Sequence, residues 1–181
     1  MHILIKKFSL SNPKEYEHFS EYKNDLIHIL KDSYGKKFYG EDEFNRRIEL
    51  KKINIVLAFP ENSTTPVGCL VYKNSGKGSA IAVLKEYRQY QIASKLLDYV
   101  KNNTNYFFAE IDSSNLFMQK FLLRNGFNIV DNINTIKKIL EQEKDKIKFL
   151  TDSKHIHYYH IKFKRNIDKV RTFIMLDHSR K

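Results

Sequence analysis

The residues from Ser79 to Ala93 combine a strand, a polar turn and the start of a helix in an order that suits anion binding. A β-compatible segment at 79–84 leads into the polar turn 85–91 and then directly into a helix that begins near Ile92. Such a turn leaves backbone N–H groups unpaired at the positive end of the helix dipole. The segment therefore predicts a diphosphate-binding turn, although an ordinary surface connection between a strand and a helix has the same composition.

Two sequence motifs in this region resemble those of one enzyme family. Ile81-Ala82-Val83, followed after four residues by Arg88-Gln89-Tyr90-Gln91-Ile92-Ala93, resembles the acyl-CoA signature Q/R-x-x-G-x-G/A of the GNAT acetyltransferases and the strand before it. Asn115, followed eleven residues later by Gly126-Phe127, is similar to the second motif of that family. The resemblance implies the α+β GNAT fold, in which helices flank a mixed central β-sheet.

The same resemblance implies a site for acetyl-CoA as cosubstrate. Main-chain groups of Ile81, Ala82 and Val83 would pair with the pantetheine arm and polarise the acyl carbonyl, and the Asn115 side chain would also contact the arm. A polarised carbonyl stabilises the oxyanion that forms when an amine attacks it. The pyrophosphate would be held by backbone amides of the turn, which are those of Arg88, Gln89, Tyr90, Gln91, Ile92 and Ala93.

The attacking amine must be neutral, so the reaction needs a base or an amine of lowered pKa. Glu110, in Ala109-Glu110-Ile111, resembles the strand carboxylate that serves as base in family members that acetylate protein N-termini, and it is the catalytic candidate. A solvent-facing or ion-paired Glu is the alternative interpretation. Asp112, assigned to the other face of the strand, is the reserve candidate.

Two positions depart from the family pattern. Gln91 stands where the signature has glycine, and a positive φ there would add strain of about 1 kcal/mol. Leu122 stands where the family often has the tyrosine that protonates the departing thiolate, and leucine has no proton to donate. A thiol with a pKa of about 8.5 still leaves as thiolate, so the loss slows the reaction without preventing it.

The surrounding pattern predicts one domain spanning residues 1–181, with the order β-α-α-β-β-β-α-β-α-β-(α)-β-β. Apolar residues recur at helical spacing over 16–30 and 41–51, and three β segments at 53–59, 67–72 and 79–84 are separated by turn compositions. The second half is predicted to hold a helix at 92–102, a strand at 106–111, a helix at 114–124, a strand at 127–130, a charged helix within 133–150 and a hairpin of 156–164 with 170–176. The resemblance implies that the acceptor pocket involves residues 16–51 and 156–176.

Composition limits the classes of function. No apolar run approaches the roughly 20 residues of a membrane span, and the first residues lack a signal-peptide core, so a cytoplasmic protein is expected. The single cysteine, Cys69, lies in an apolar strand and is interpreted as a packed residue. The histidines at 155, 157 and 160 do not share one strand face, so no metal is expected. The net charge of +11 favours anionic partners, including RNA.

Three hypotheses for function remain open at this stage. The first is an N-acetyltransferase that transfers the acetyl group of acetyl-CoA by direct attack of a primary amine on a small molecule or protein. The second is a GNAT-shaped protein with impaired catalysis that senses acyl-CoA or binds a partner, which the departures at Gln91 and Leu122 favour. The third is an acetyltransferase for an amine linked to RNA or to a nucleic-acid-associated protein, which the positive charge favours.

Overall fold

The computed structural model describes residues 1–35, 41–74, 76, 78–104, 106–112, 115–129, 155–161 and 172–176. The chain divides into two compact units, Met1–Tyr99 and Val100–Lys181. Each unit contains an antiparallel sheet, and the elements follow the predicted order with one additional helix near the start. The helix predicted within 133–150 and the turn of the late hairpin lie outside the described residues.

The first unit is built on a four-stranded sheet in the order β1-β2-β3-β4. Its second strand is buried along almost its whole length, as expected for a central strand covered on both faces. Side chains from two helices add to this core, including Phe19, Leu26 and Ile29. The strands are β1 (Ile3–Ser9), β2 (Ile53–Pro60), β3 (Gly68–Lys73) and β4 (Gly78–Val83).

The predicted first helix is instead two helices, α1 (Pro13–Ser20) and α2 (Lys23–Tyr34). Helix α1 begins as the sequence predicts, because the Asn12 side chain accepts a hydrogen bond from the Lys14 amide at 3.0 Å. The helical conformation is interrupted at Tyr22, whose ring packs edge-on against Phe59 and beside Phe8. Apolar spacing continues across the break, so periodicity alone predicted a single helix.

Gly35, which has a positive φ of 51°, caps the end of helix α2, and helix α3 (Glu41–Glu49) follows. A 3-10 turn, Lys85–Tyr90, then connects β4 to helix α4 (Ile92–Asn103). The predicted polar turn is therefore a short 3-10 segment that is followed by Gln91.

The second unit contains β5 (Tyr106–Asp112), α5 (Leu116–Arg124), β6 (Asn128–Ile129), β7 (His155–Ile161) and β8 (Thr172–Leu176). Strand β7 pairs antiparallel with β5, β6 and β8, which confirms the predicted late hairpin. Gly126, predicted to close α5, has a φ of 81°, and the following Phe127 ring packs edge-on against Phe107.

The α+β fold class is thus confirmed. Every strand pairing in the described part of the chain is antiparallel. The parallel pairing that a mixed sheet requires stays a prediction. The single domain expected over residues 1–181 also stays a prediction. In the same described part, no helix is long and apolar enough to cross a membrane.

Candidate functional site

Among the strands that the structure describes, β4 lies at the edge of its sheet and pairs with β3. The amide of Leu84 donates to the carbonyl of Val67 at 2.9 Å, so the main-chain groups of residue 84 point toward β3. Main-chain groups alternate in direction along a strand, so those of Ala82 also face β3, opposite Cys69. The N–H and C=O groups of Ile81 and Val83 therefore lie along the outer edge of the sheet.

The end of helix α2 covers this outer edge. The hydroxyl of Tyr34 donates to the Ile81 carbonyl at 3.0 Å and accepts a hydrogen bond from the Ile81 amide at 3.2 Å. The hydroxyl of the preceding residue, Ser33, donates to the Val83 carbonyl at 3.2 Å. Side chains thus take the place of a neighbouring strand.

The side chain of Arg88 folds back toward the same edge. Its Nε donates to the Val83 carbonyl at 3.1 Å, and its Nη2 lies 3.5 Å from Oδ2 of Asp32. The same carboxylate oxygen accepts the Lys85 amide at 3.1 Å, where the 3-10 turn begins. The last residues of α2 are therefore tied to both β4 and the turn by direct hydrogen bonds.

Gln91 joins the turn to helix α4 in a left-handed conformation, with φ 57° and ψ 23°. The sequence raises the question of a positive φ at position 91, and the structure has one. A non-glycine residue in this conformation carries strain of about 1 kcal/mol. The first intrahelical bond of α4 runs from the Lys95 amide to the Gln91 carbonyl, so the amides of residues 92–94 precede it.

The side chains along this turn differ in exposure. Arg88, Gln89, Tyr90 and Gln91 are exposed, Ala93 is half-buried, and Ile92 is buried in the core. Ile92 packs beside Gly68 of β3, and this contact anchors the start of the helix on the sheet. The strand, 3-10 turn and helix start follow one another as the sequence predicts, and the diphosphate-binding role of the turn stays a prediction.

Asn115 and Leu122 belong to the second unit, and each has a local structural role. Asn115 is exposed and caps α5, because its Oδ1 accepts the Met118 amide at 3.1 Å. Leu122 is buried, and its carbonyl accepts the Phe127 amide at 3.0 Å. The side chain at position 122 is therefore a packing residue in this unit.

Glu110 lies in the middle of β5, opposite His157 of β7 in the backbone register. Asp112 lies two residues farther along β5, opposite His155. The assignment of Asp112 to the other face was wrong, because strand residues two apart have the same parity. The side chains of both acids lie outside the described part of the structure, so the role of Glu110 stays a prediction.

Cys69 is fully buried in β3, and burial raises the pKa of its thiol to about 12. The thiol is therefore protonated at neutral pH, and its interpretation as a packed residue is confirmed. Sequence reasoning missed the roles of Asp32, Ser33 and Gly68. A glycine inside an apolar strand was the available signal for Gly68, since such glycines often mark close packing.

Comparison with solved structures identifies the fold. The chain is similar to a GNAT-family acetyltransferase from Bacillus cereus, with 21% identity, a TM-score of 0.59, and coverage of 91% of this chain and 100% of the other. It is also similar to the ribosomal-protein-S18-alanine N-acetyltransferase from Escherichia coli, with 12% identity, a TM-score of 0.55, and coverage of 72% and 80%. No protein-family model and no curated protein matches the sequence significantly.

A third similar structure is AAC(6')-Iy bound to the bisubstrate analogue CoA-S-monomethyl-acetylneamine. It has 14% identity to this chain and a TM-score of 0.54, with coverage of 74% of this chain and 95% of the other. These identities are low, and what the likeness establishes is architecture. The chain has the fold of the GNAT acetyltransferases.

Proposed function

We propose that this protein is an acyl-CoA-dependent N-acetyltransferase that transfers an acetyl group to a primary amine. The observation that carries the proposal is the outer edge of β4, where main-chain groups of Ile81 and Val83 lead into the turn at 88–93. An edge strand supplies donors and acceptors for an extended ligand, and the helix start after it suits a pyrophosphate. Ala82 contributes less, because its main-chain groups face β3.

Chain direction orients acetyl-CoA along this edge. The turn follows Val83 in the chain, so an arm that extends from the pyrophosphate back along β4 meets Val83 first and Ile81 second. Two strand residues span about 6.6 Å, so Ile81 lies nearer the acyl end. In the proposed reaction the Ile81 N–H polarises the acyl carbonyl, and Glu110 accepts the proton of the attacking amine.

The acceptor is proposed only as a class, namely a primary amine on a small molecule or a protein. AAC(6')-Iy, with its bisubstrate analogue, and the S18-alanine N-acetyltransferase illustrate how different the acceptors of similar folds are. The positive net charge also fits an amine carried by an anionic partner such as RNA. Fold by itself does not choose among these acceptors.

A second candidate function is a GNAT-shaped acyl-CoA sensor with little or no catalysis. Two observations favour it: the left-handed Gln91 in the turn, and the buried Leu122 in place of a proton donor. Both candidates require the same cofactor site, so binding must be tested before turnover.

The first experiment is calorimetric titration of the full chain with acetyl-CoA, beside the variants Arg88→Glu and Lys14→Glu. Both substitutions change the net charge equally, but Lys14 lies on α1, outside the turn. We expect Arg88→Glu to weaken binding at least about ten-fold by repelling the pyrophosphate, and Lys14→Glu to bind like the natural sequence. Equal affinities for acetyl-CoA in all three proteins would contradict the proposal that this turn binds the pyrophosphate.

Turnover then separates the two candidates. Saturating acetyl-CoA is incubated with panels of peptides, polyamines and small amines, and released CoA is measured. Acetyl-CoA-dependent release with an acceptor supports the enzyme. Binding of acetyl-CoA with no release of CoA on all of the panels supports the sensor.

A further inference from the structure

The main-chain groups of Ile81 are already engaged by the hydroxyl of Tyr34. That hydroxyl donates to the Ile81 carbonyl at 3.0 Å and accepts from its amide at 3.2 Å. A hydroxyl is both donor and acceptor, so one atom satisfies both groups of the strand edge. Val83 is held differently, since its carbonyl accepts from Ser33 and Arg88.

This contact conflicts with the proposed position of the acyl group, so the inference rests on the proposed function. An oxygen that accepts the Ile81 N–H must lie within hydrogen-bonding distance along that bond, and the Tyr34 oxygen, 3.2 Å from the nitrogen, now occupies this position. Two oxygens cannot share that position. The acyl carbonyl therefore reaches Ile81 only after the Tyr34 hydroxyl has moved away.

Free CoA makes a smaller demand on the same edge. Its pantetheine arm extends from the turn past Val83, and it has no acyl carbonyl to place at Ile81. CoA can therefore bind with Tyr34 in the position that the structure shows. We propose that Tyr34 determines cofactor specificity, because its hydroxyl occupies the acyl-carbonyl position on Ile81 and penalises acyl-CoA relative to CoA.

Tyr34 is well placed to leave and return. It is the last residue of α2, next to Gly35, and its ring is only partly buried. When the acyl group has been transferred, the carbonyl no longer occupies the Ile81 amide, and the hydroxyl returns to it. Tyr34 thus closes the edge around product CoA and keeps the strand groups satisfied between turnovers.

The test is the affinity of CoA and of acetyl-CoA for the natural protein, Tyr34→Phe and Tyr16→Phe, measured by calorimetry. Phenylalanine keeps the ring but removes the competing hydroxyl. We expect Tyr34→Phe to raise the preference for acetyl-CoA over CoA about five-fold, the worth of one ordinary hydrogen bond. Tyr16 lies on α1, where Lys51 packs over its ring, and Tyr16→Phe should leave the preference unchanged.

Ser33→Ala supplies a second variant with a different expectation. It removes a bond to Val83, so it should alter the affinities for CoA and acetyl-CoA by the same factor and leave their ratio unchanged. If both substitutions act only by destabilising the end of α2, Ser33→Ala and Tyr34→Phe should instead show the same ratio of acetyl-CoA affinity to CoA affinity.

The outcomes separate this inference from the proposed function. If the natural protein binds CoA and Tyr34→Phe leaves the acetyl-CoA preference unaltered, the inference is wrong while the cofactor site stands. If acetyl-CoA binds only to Tyr34→Phe, the inference holds in its strongest form. If neither protein binds either molecule, both the inference and the cofactor site are overturned.

Discussion

Gly68 and Ile92 are packed so closely that a Cβ atom on residue 68 would lie 2.9 Å from Cγ2 of Ile92. The same Cβ would lie 3.3 Å from the Ala82 carbonyl oxygen and from a methyl group of Val83. The absence of a side chain at position 68 therefore allows the first residue of α4 to pack directly on the sheet. The position of the turn depends on this contact.

Gly68→Ala should destabilise the protein by about 1–3 kcal/mol, because the added methyl group overpacks a buried contact. Urea unfolding measures this change. Combining it with Ile92→Ala, which removes the opposing Cγ2, should cost less than the sum of the two single changes. Additive free energies would show that the two side chains do not interact.

Gln91→Asn should stabilise the protein by about 0.5–1 kcal/mol, because asparagine tolerates the left-handed conformation better than glutamine does. Gln89→Asn is the matched control, since residue 89 lies in the adjacent exposed turn and its φ is not positive. Thermal or urea unfolding compares the two variants. Equal effects at both positions would mean that residue 91 carries no conformational strain.

Glu110→Gln should lower kcat by about 10²–10⁴-fold once an acceptor is known, because the amide cannot accept the proton of the amine. The affinity for acetyl-CoA should stay the same, since the proposed cofactor groups belong to other residues. Glu17→Gln, an exposed position on α1, provides the control. Full activity of Glu110→Gln would remove the assignment and make Asp112 the next candidate.

Cys69→Ala should flatten the dependence of stability on alkaline pH. Burial raises the pKa of the Cys69 thiol to about 12 from an ordinary value of 9.0, so the folded protein keeps a proton that the unfolded chain loses. Stability is unaffected below about pH 9 and falls above it by about 1.4 kcal/mol per pH unit. Urea unfolding from about pH 8 to about pH 11 gives the free energy of unfolding of the natural protein and of Cys69→Ala. If the two free energies change with pH in parallel, the raised pKa of Cys69 is contradicted.

Local patterns explain why much of the fold could be predicted. Helix α1 begins at Asn12-Pro13, α5 is followed by Gly126 with positive φ, and β2 is a continuous apolar run; each feature depends on neighbouring residues. The strain at Gln91 could also be anticipated, because the signature has glycine there. The break between α1 and α2 could not, since it depends on aromatic packing against Phe8 and Phe59, from two different strands.

The partners of the β4 edge were outside the reach of sequence reasoning. Tyr34 and Ile81 are 47 positions apart, and Ser33 and Val83 are 50 apart, so no local spacing connects them. Asp32, likewise, belongs to no motif in the sequence. Only the structure shows that its carboxylate accepts hydrogen bonds from the Lys85 amide and the Arg88 side chain. The motif identified the strand, whereas tertiary packing determined what covers it.

The side chains over the β4 edge also affect how this protein behaves at high concentration. A bare edge strand is a template on which a second chain can add its own strand and begin to aggregate. Tyr34 caps both outward groups of Ile81, and Ser33 caps the carbonyl of Val83. Such side-chain caps can be withdrawn for a small ligand more easily than a paired strand can. We therefore expect the same two residues to oppose the addition of a second chain's strand while still giving way to a small ligand.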